Sequence, residues 1–508
     1  MADPRNLPAL WRSVWQDPER RDHPALITEQ RRWSYGELDD AVRRLAGAFR
    51  RAGVARGDYV ALALERGPGQ VLALLAALVA GACPCPLEPR LAAEETRRRV
   101  AAVGLRWMLH DAGHAALAEA GGIPPERRLD LDGLPAGDPY WDETHAADDP
   151  ALLLFTSGST GKPKGVLQAH RGVLLNAQGV GAHTGLRPDD VLLHVMPLHH
   201  TNAVNNQIFA PLARGATVAL AGRFRAEDMP GLLARFRPTL MTGVPTMYSR
   251  MLEQTFDRAA LAGLRMARCG SAPITPALHR EIEAFMGCPL VVSYGLSEAT
   301  CTSTINPPAA RRIGTVGTVL PGQRVALLDP EGRPVAEGAE GEVCIGGDIL
   351  MLGYLGHDGD SPVRDGWLRT GDLGRFDADG YLSITGRIKD VIIRGGENLS
   401  PRQIEDVLCR EPAVAACCVV GRADRDLGEV PVAVIVPRAG AAIPDGDVLR
   451  ARVREQLGRI YAPEAVYVSA ALPENAVGKV DRKAVAQWVR DRDEALGIGA
   501  ILNETQHI

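Results

Sequence analysis

Apolar residues fall along this chain in two rhythms. The first is a set of short, nearly uninterrupted apolar runs: YVALALE (59–65), ALLLF (151–155), VLLHVMP (191–197), TVALAG (217–222) and LVVSYG (290–295). Runs of this length without a polar alternate read as strands covered on both faces. The second rhythm places apolar residues every three or four positions. GELDDAVRRLAGAFRRAG (36–53) and PALHREIEAFMG (276–287) follow it, and each stops on a glycine. That is the pattern of an amphipathic helix closed by a left-handed cap. Strands of the first kind alternating with helices of the second predict an α/β architecture with buried sheets.

After about residue 315 the texture changes. Short strands such as RVALLD (324–329), GEVCIGG (341–347) and GYLSITG (380–386) are separated by Gly and Asp-Gly turns. From Lys389 a compact unit is legible: DVIIRGG, a helix over SPRQIEDVLCR, strands VAACCVVG and VPVAVIVP, a helix over DVLRARVREQL, then AVYVSA. This reads as a small α+β domain of about 120 residues, an ordinary domain size. The expected division is 1–388 and 389–508, with residues after Ala495 as a loose end. At 508 residues the chain is too long for one core, so two or more domains are expected on length alone.

Composition narrows the class. Hydrophobic residues make up 46% and charged residues 23%, and the net charge of −5 provides no basic field for nucleic acid. The longest apolar run, Val71 to Ala82, is too short to span a bilayer. The N-terminus, MADPRNLPALWRSVWQDPERR, lacks the basic-then-apolar order of a signal peptide. The nine cysteines have no zinc-ligand spacing, so no structural metal and a cytoplasmic location are expected. One count stands out: of 57 Lys+Arg, only Lys162, Lys164, Lys389, Lys479 and Lys483 are lysine. A compact ammonium on a flexible stem does what a planar guanidinium cannot. These five positions are therefore nominated for a reaching charge.

Two of them lie in FTSGSTGKPKG (155–165), directly after a predicted strand. Glycines let backbone N–H groups converge, and hydroxyls and ammonium groups complete a cradle for phosphate oxygens. The spacing is not that of a P-loop, and Pro163 stands where a helix would begin. SGSTG and GLSEA (295–299) also approach a serine nucleophile elbow, each with one glycine missing. A hydrolase using Ser159 or Ser297 is therefore a competing reading, and a non-catalytic nucleotide binder is another.

FTSGSTGKPKG, YGLSEAT, RTGDLG, GRIKDVIIRGGENLSP and ENAVGKVDR occur in order across the chain. Together they resemble the adenylate-forming superfamily, from about residue 25 to about 490, and most resemble its acyl-CoA synthetases. The resemblance implies a large multi-subdomain N-terminal α/β domain and a small mobile α+β domain. It also implies ATP-dependent joining of a carboxylic acid to AMP, then transfer of the acyl group to a thiol. An anionic carboxylate must there meet an anionic phosphate, so placed cations and donors are the main catalytic tools.

What the resemblance implies can be given residue by residue. Thr156, Ser157, Gly158, Ser159, Thr160 and Lys164 would hold the β- and γ-phosphates. Tyr294, flanked by Ser293 and Gly295, would stack on adenine, with Gly270, Ser271 and Ala272 walling the same pocket. Ser297 would touch the α-phosphate and Glu298 would bind the magnesium carried on ATP. Asp372 would accept the ribose hydroxyls, Arg387 would contact ribose or phosphate, and Lys389 would be the hinge. Lys479 would bridge the carboxylate and the α-phosphate. In PLHHTNAVNNQ, His200 matches a family histidine. With Asn202, Asn206, Val244, Met247 and Thr302 it would line the acid pocket. Thr201 and Asn202 stand where amino-acid-activating relatives carry an aspartate, which argues against an α-amino acid. Gly395 and Gly396 would admit pantetheine and Arg223 would meet the CoA nucleotide, so coenzyme A is the expected acceptor. A separate carrier protein is the alternative. Gln403 replaces a common glutamate, and Glu474-Asn475 a common Lys-Thr, which would alter how the small domain docks.

Overall fold

The computed structural model describes residues 5–142, 144–156, 164–356, 361–474 and 479–495. The apolar runs form strands as their composition requires. Tyr59–Ala63, Pro150–Thr156, Val191–His194, Thr217–Leu220 and Leu290–Tyr294 are all extended. Both long periodic segments are helices. Tyr35–Ala52 begins with a reciprocal capping box between Ser34 and Glu37 and ends at Gly53, φ 97°. Pro276–Met286 ends at Gly287, φ 69°.

The largest sheet has nine strands. Its centre is parallel and runs Leu290–Tyr294, Met266–Cys269, Leu240–Gly243, Val191–His194, Thr217–Leu220, Pro24–Ile27. Antiparallel strands close both edges. A second, four-stranded parallel sheet contains Tyr59–Ala63 and Trp107–His110. The helix Pro68–Val79 packs into the core that joins the two, which explains why its sequence is apolar on nearly every side. No helix among the described residues is long and apolar enough to cross a membrane. All nine cysteines are unpaired thiols, seven of them buried.

Pro150–Thr156 and Lys164–Ala169 form an antiparallel hairpin, and the Gly/Ser-rich stretch 157–163 between them lies outside the described residues. An antiparallel sheet built on Gly341–Gly346 and Trp367–Phe376 follows, and Leu382–Arg387 pairs with the latter strand. After Asp390 the chain enters a separate sheet. There Val414–Asp424 and Gly428–Pro437 pair over ten register positions, with helices Pro401–Leu408, Gly446–Leu457 and Arg482–Ala495 around them. This smaller C-terminal domain has its own apolar cores. It touches the large domain through Arg250–Glu474 at 2.9 Å, Arg438–Glu281 at 3.5 Å, and Ser400 Oγ donating to the Thr385 carbonyl at 2.5 Å. The residues after Ala495, expected to be a loose end, lie outside the described part.

Candidate active site

The C-terminal ends of parallel strands form the crevice in which open α/β sheets bind ligands. Here Met266–Cys269 leads into Gly270-Ser271-Ala272, and Leu290–Tyr294 leads into Gly295. Close packing explains the glycines. A Cβ on Gly270 would lie 2.7 Å from Ser293 Oγ, and one on Gly295 would lie 1.9 Å from the Cys301 carbonyl oxygen. Ser271 has φ 66°, a left-handed conformation that a non-glycine residue rarely adopts outside functional turns.

Tyr294 reaches from this edge to the antiparallel sheet. Its hydroxyl donates to Asp372 Oδ2 at 2.7 Å, while Arg387 Nε donates to Asp372 Oδ1 at 2.6 Å. Strand register produces the second contact, because Asp372 and Arg387 face each other across neighbouring strands. Burial, then the Asp372 carboxylate, raises the Tyr294 phenol well above its ordinary range. Asp372 itself is buried, with each oxygen keeping lone-pair capacity for a further donor.

Lys479 comes to the same cluster from the C-terminal domain. It precedes Val480, which forms a bridge with Glu474. Burial and the neighbouring Arg387 push its ammonium below the ordinary lysine range, with Asp372 opposing. His200 is also near Lys479, and burial, His199 and Lys479 drive it down to about 3. The two histidine rings lie 4.4 Å apart. His200 Nε2 is buried without a hydrogen-bond partner among the described residues.

Glu298 Oε1 accepts from the Tyr354 hydroxyl at 2.7 Å, and Lys164 Nζ lies 5.2 Å from the Tyr354 ring centre. Tyr354 thus joins Lys164 to Glu298, a link no local motif announces. No group of three or more His, Cys, Asp or Glu among the described residues could hold a metal by itself. A single carboxylate suits Mg²⁺ that arrives on substrate phosphates and keeps most of its ligands there. The Ser297 carbonyl accepts from Gln168 Nε2 at 3.0 Å, and the Thr300 carbonyl accepts from the same nitrogen and from Thr201 Oγ1. Ser157, Gly158, Ser159 and Thr160 lie outside the described residues; Thr156 and Lys164 face each other as the last pair of their hairpin before that stretch.

The residues expected to line the acid pocket divide. Asn202–Phe209 is a π-helical stretch, a wider turn often found at functional sites. Asn206 accepts from Asn176 at 2.9 Å and donates to Thr302 Oγ1 at 2.8 Å, and Asn202 accepts from Gln207 at 3.0 Å. Both asparagines therefore take part in internal networks. Val244 and Met247 belong to an apolar cluster on the other face of the sheet. Away from the Asp372–Arg387 cluster, Gly395 and Gly396, φ 58° and 88°, form an exposed two-residue hairpin turn. Arg223 pairs with Glu65 at 3.8 Å, and Lys389 is exposed on the link between sheets.

The family described as AMP-binding enzyme matches residues 14–355, and its C-terminal domain family matches residues 403–479. The feruloyl-CoA synthase of Amycolatopsis sp is 36% identical over 88% of this chain and 92% of its own. The sulfoacetate–CoA ligase of Cupriavidus necator is 35% identical over 88% and 91%. Among solved structures, ATP-bound MatB from Rhodopseudomonas palustris superposes with a TM-score of 0.88 at 29% identity, over 96% of this chain and 99% of that one. With the ordered motifs and the site geometry, these matches fix the assignment: the chain belongs to the AMP-binding enzyme family and is an AMP-forming acid–CoA ligase, which uses ATP to activate a carboxylic acid and passes the acyl group to coenzyme A.

Proposed function

We propose that the cluster Tyr294, Asp372, Arg387, His200 and Lys479 carries the adenylation step. The observation behind this is the lysine: a domain with its own core delivers Lys479 beside Arg387, Asp372 and His200. In this reading Tyr294 and Gly270-Ser271-Ala272 hold adenine, and Asp372 accepts the ribose hydroxyls through its remaining lone pairs. Thr156, Lys164 and the intervening loop hold the outer phosphates, with Ser297 at the α-phosphate. Glu298 holds Mg²⁺ on ATP. Lys479 neutralises charge where the acid's carboxylate oxygen attacks the α-phosphorus and pyrophosphate leaves, an electrostatic role for a placed cation. Neutral His200 borders the acid without adding a competing charge.

The domain boundary falls at 388/389, and rotation at Lys389 takes Lys479 away and presents the Gly395-Gly396 hairpin to the pantetheine of CoA. Pyrophosphate release across a panel of carboxylic acids, with and without CoA, tests the reading. Release must depend on acid, and AMP must accumulate. Lys389→Pro should keep pyrophosphate release and lose acyl-CoA formation; loss of both, or of neither, rejects the hinge. A phosphopantetheinylated carrier protein in place of CoA tests the alternative acceptor.

A further inference from the structure

Arg268 lies on the central strand Met266–Cys269, two residues before Gly270. Its side chain is on the face packed against the helix His170–His183: Met266 and the flanking Leu240 and Val291 share a core cluster with Val180. Thr242 on one neighbouring strand and Val291 on the other are its register partners. Only 3% of Arg268 is exposed. Its single side-chain hydrogen bond runs from Nη2 to Thr184 Oγ1 at 2.9 Å, and Nε and Nη1 have no partner among the described residues.

No carboxylate lies within ion-pair distance of Arg268 among the described residues. The nearby acid, Asp190, is engaged by Arg265, the Arg187 amide and Thr239. Burial pushes the Arg268 guanidinium down only to about 10, so it stays charged near neutrality. A buried, unpaired cation is costly, and an apolar residue of similar volume would suit neighbours such as Leu240, Met266 and Val291. Within the fold Arg268 has one hydroxyl partner and the more distant charge of Asp190, which leaves Nε and Nη1 unmatched. Two further buried hydroxyls lack partners: Thr242 Oγ1, at the same register level, and Ser303 Oγ, next in the chain to Thr302.

Arg268 and Thr242 lie further down the sheet than the residues expected to line the acid pocket, and Ser303 adjoins Thr302 at the level of that pocket. Thr302 and Asn206 are bonded to Asn176 on the covering helix, and Thr184 follows at that helix's end, roughly 12 Å further along at 1.5 Å per residue. Gly270 lies on the same face as Arg268, roughly one strand repeat of 6.6 Å above it, and the small Ser293 hydroxyl packs against it, so no large side chain stands between them at this position. We propose that Arg268, with Thr242 and Ser303, is the distal end of the acid subsite, and that the acid carries a second oxyanion, carboxylate or sulfonate, on the order of 6–12 Å from the one activated. This rests on the adenylation reading above and specifies its substrate class.

The test uses matched acids that differ only in a terminal methyl or carboxylate, with pyrophosphate release as readout. The wild-type enzyme should prefer the dianionic member by at least about 10-fold in kcat/KM, as expected for charge-assisted hydrogen bonds. Arg268→Met should raise KM for the diacid at least about 10-fold, keep kcat within a few-fold, and leave the monoacid unaffected or improved. Addition of the diacid should also raise the Tm of the wild type and not that of the variant. If the wild type uses the monoacid as well as its partner, the proposal is overturned, whether or not the variant folds. An equal effect of Arg268→Met on both acids would also overturn it, leaving a structural role. Absence of pyrophosphate release with every acid would instead count against the adenylation reading.

Discussion

Replacing Lys479 by alanine removes a cation that the C-terminal domain brings to the Asp372–Arg387 cluster. Its worth follows from Coulomb's law. Opposite unit charges about 4 Å apart gain about 4 kcal/mol at an effective dielectric near 20. A tenfold rate change costs about 1.4 kcal/mol, so the upper bound is about 10³-fold. Part of the attraction already exists with bound ATP and does not accelerate the step, which lowers the expected loss to at least about 10²-fold. ATP–pyrophosphate exchange measures the first half-reaction. Acyl-CoA formation from supplied acyl-adenylate measures the second and should survive. The pH profile adds a second reading. The ammonium is the active form, and burial and Arg387 lower its affinity for the proton. Adenylation should therefore decline as pH rises through a value below that of an ordinary lysine, and the residual rate of Lys479→Ala should lack this limb. Equal loss of both half-reactions, or exchange within tenfold of wild type, would refute the role.

Asp372→Ala should raise the KM for ATP and leave the KM for the acid nearly unchanged; an unaltered ATP KM would remove Asp372 from the nucleotide site. Glu474 pairs with Arg250 across the domains in an exposed bridge worth about 0.2–1 kcal/mol. Glu474→Lys should slow pyrophosphate release a few-fold without slowing acyl-CoA formation from acyl-adenylate, and adding Arg250→Glu should restore it. No recovery in the double variant would mean that the pair does not hold the adenylating pose. His170 and His200 are each held near 3, and His199 near 4, mainly by burial. An unfolded histidine takes up its proton near pH 6.5. Below that pH the unfolded chain binds protons the native state refuses, so stability should fall as pH drops from 6.5 toward 4. His199→Asn with His200→Asn should flatten that slope in denaturant titrations; an unchanged slope would place the titration elsewhere.

The sequence by itself determined the local elements and the family. Strands buried on both faces must be apolar throughout, so LVVSYG and TVALAG were legible as strands. A helix that ends in a left-handed turn calls for glycine, so Gly53 and Gly287 marked their boundaries. The sequence also contained the motif residues, because each motif lies within a few consecutive positions. It did not reveal the pairing of Glu298 with Tyr354, of Arg250 with Glu474, or of Asp372 with Tyr294, because these partners are brought together only by strand order and domain docking. The π-helical turn at Asn202–Phe209 and the helix Arg482–Ala495 were also unread. In the first, side chains on other segments bond to its asparagines. In the second, apolar positions such as Val485 and Val489 are few and acquire meaning only against the sheet they cover. Arg268 shows the division most plainly. In the sequence it is one arginine among many, and only the tertiary structure surrounds it with apolar neighbours and withholds a counter-ion, because burial and pairing are properties of what packs around a residue.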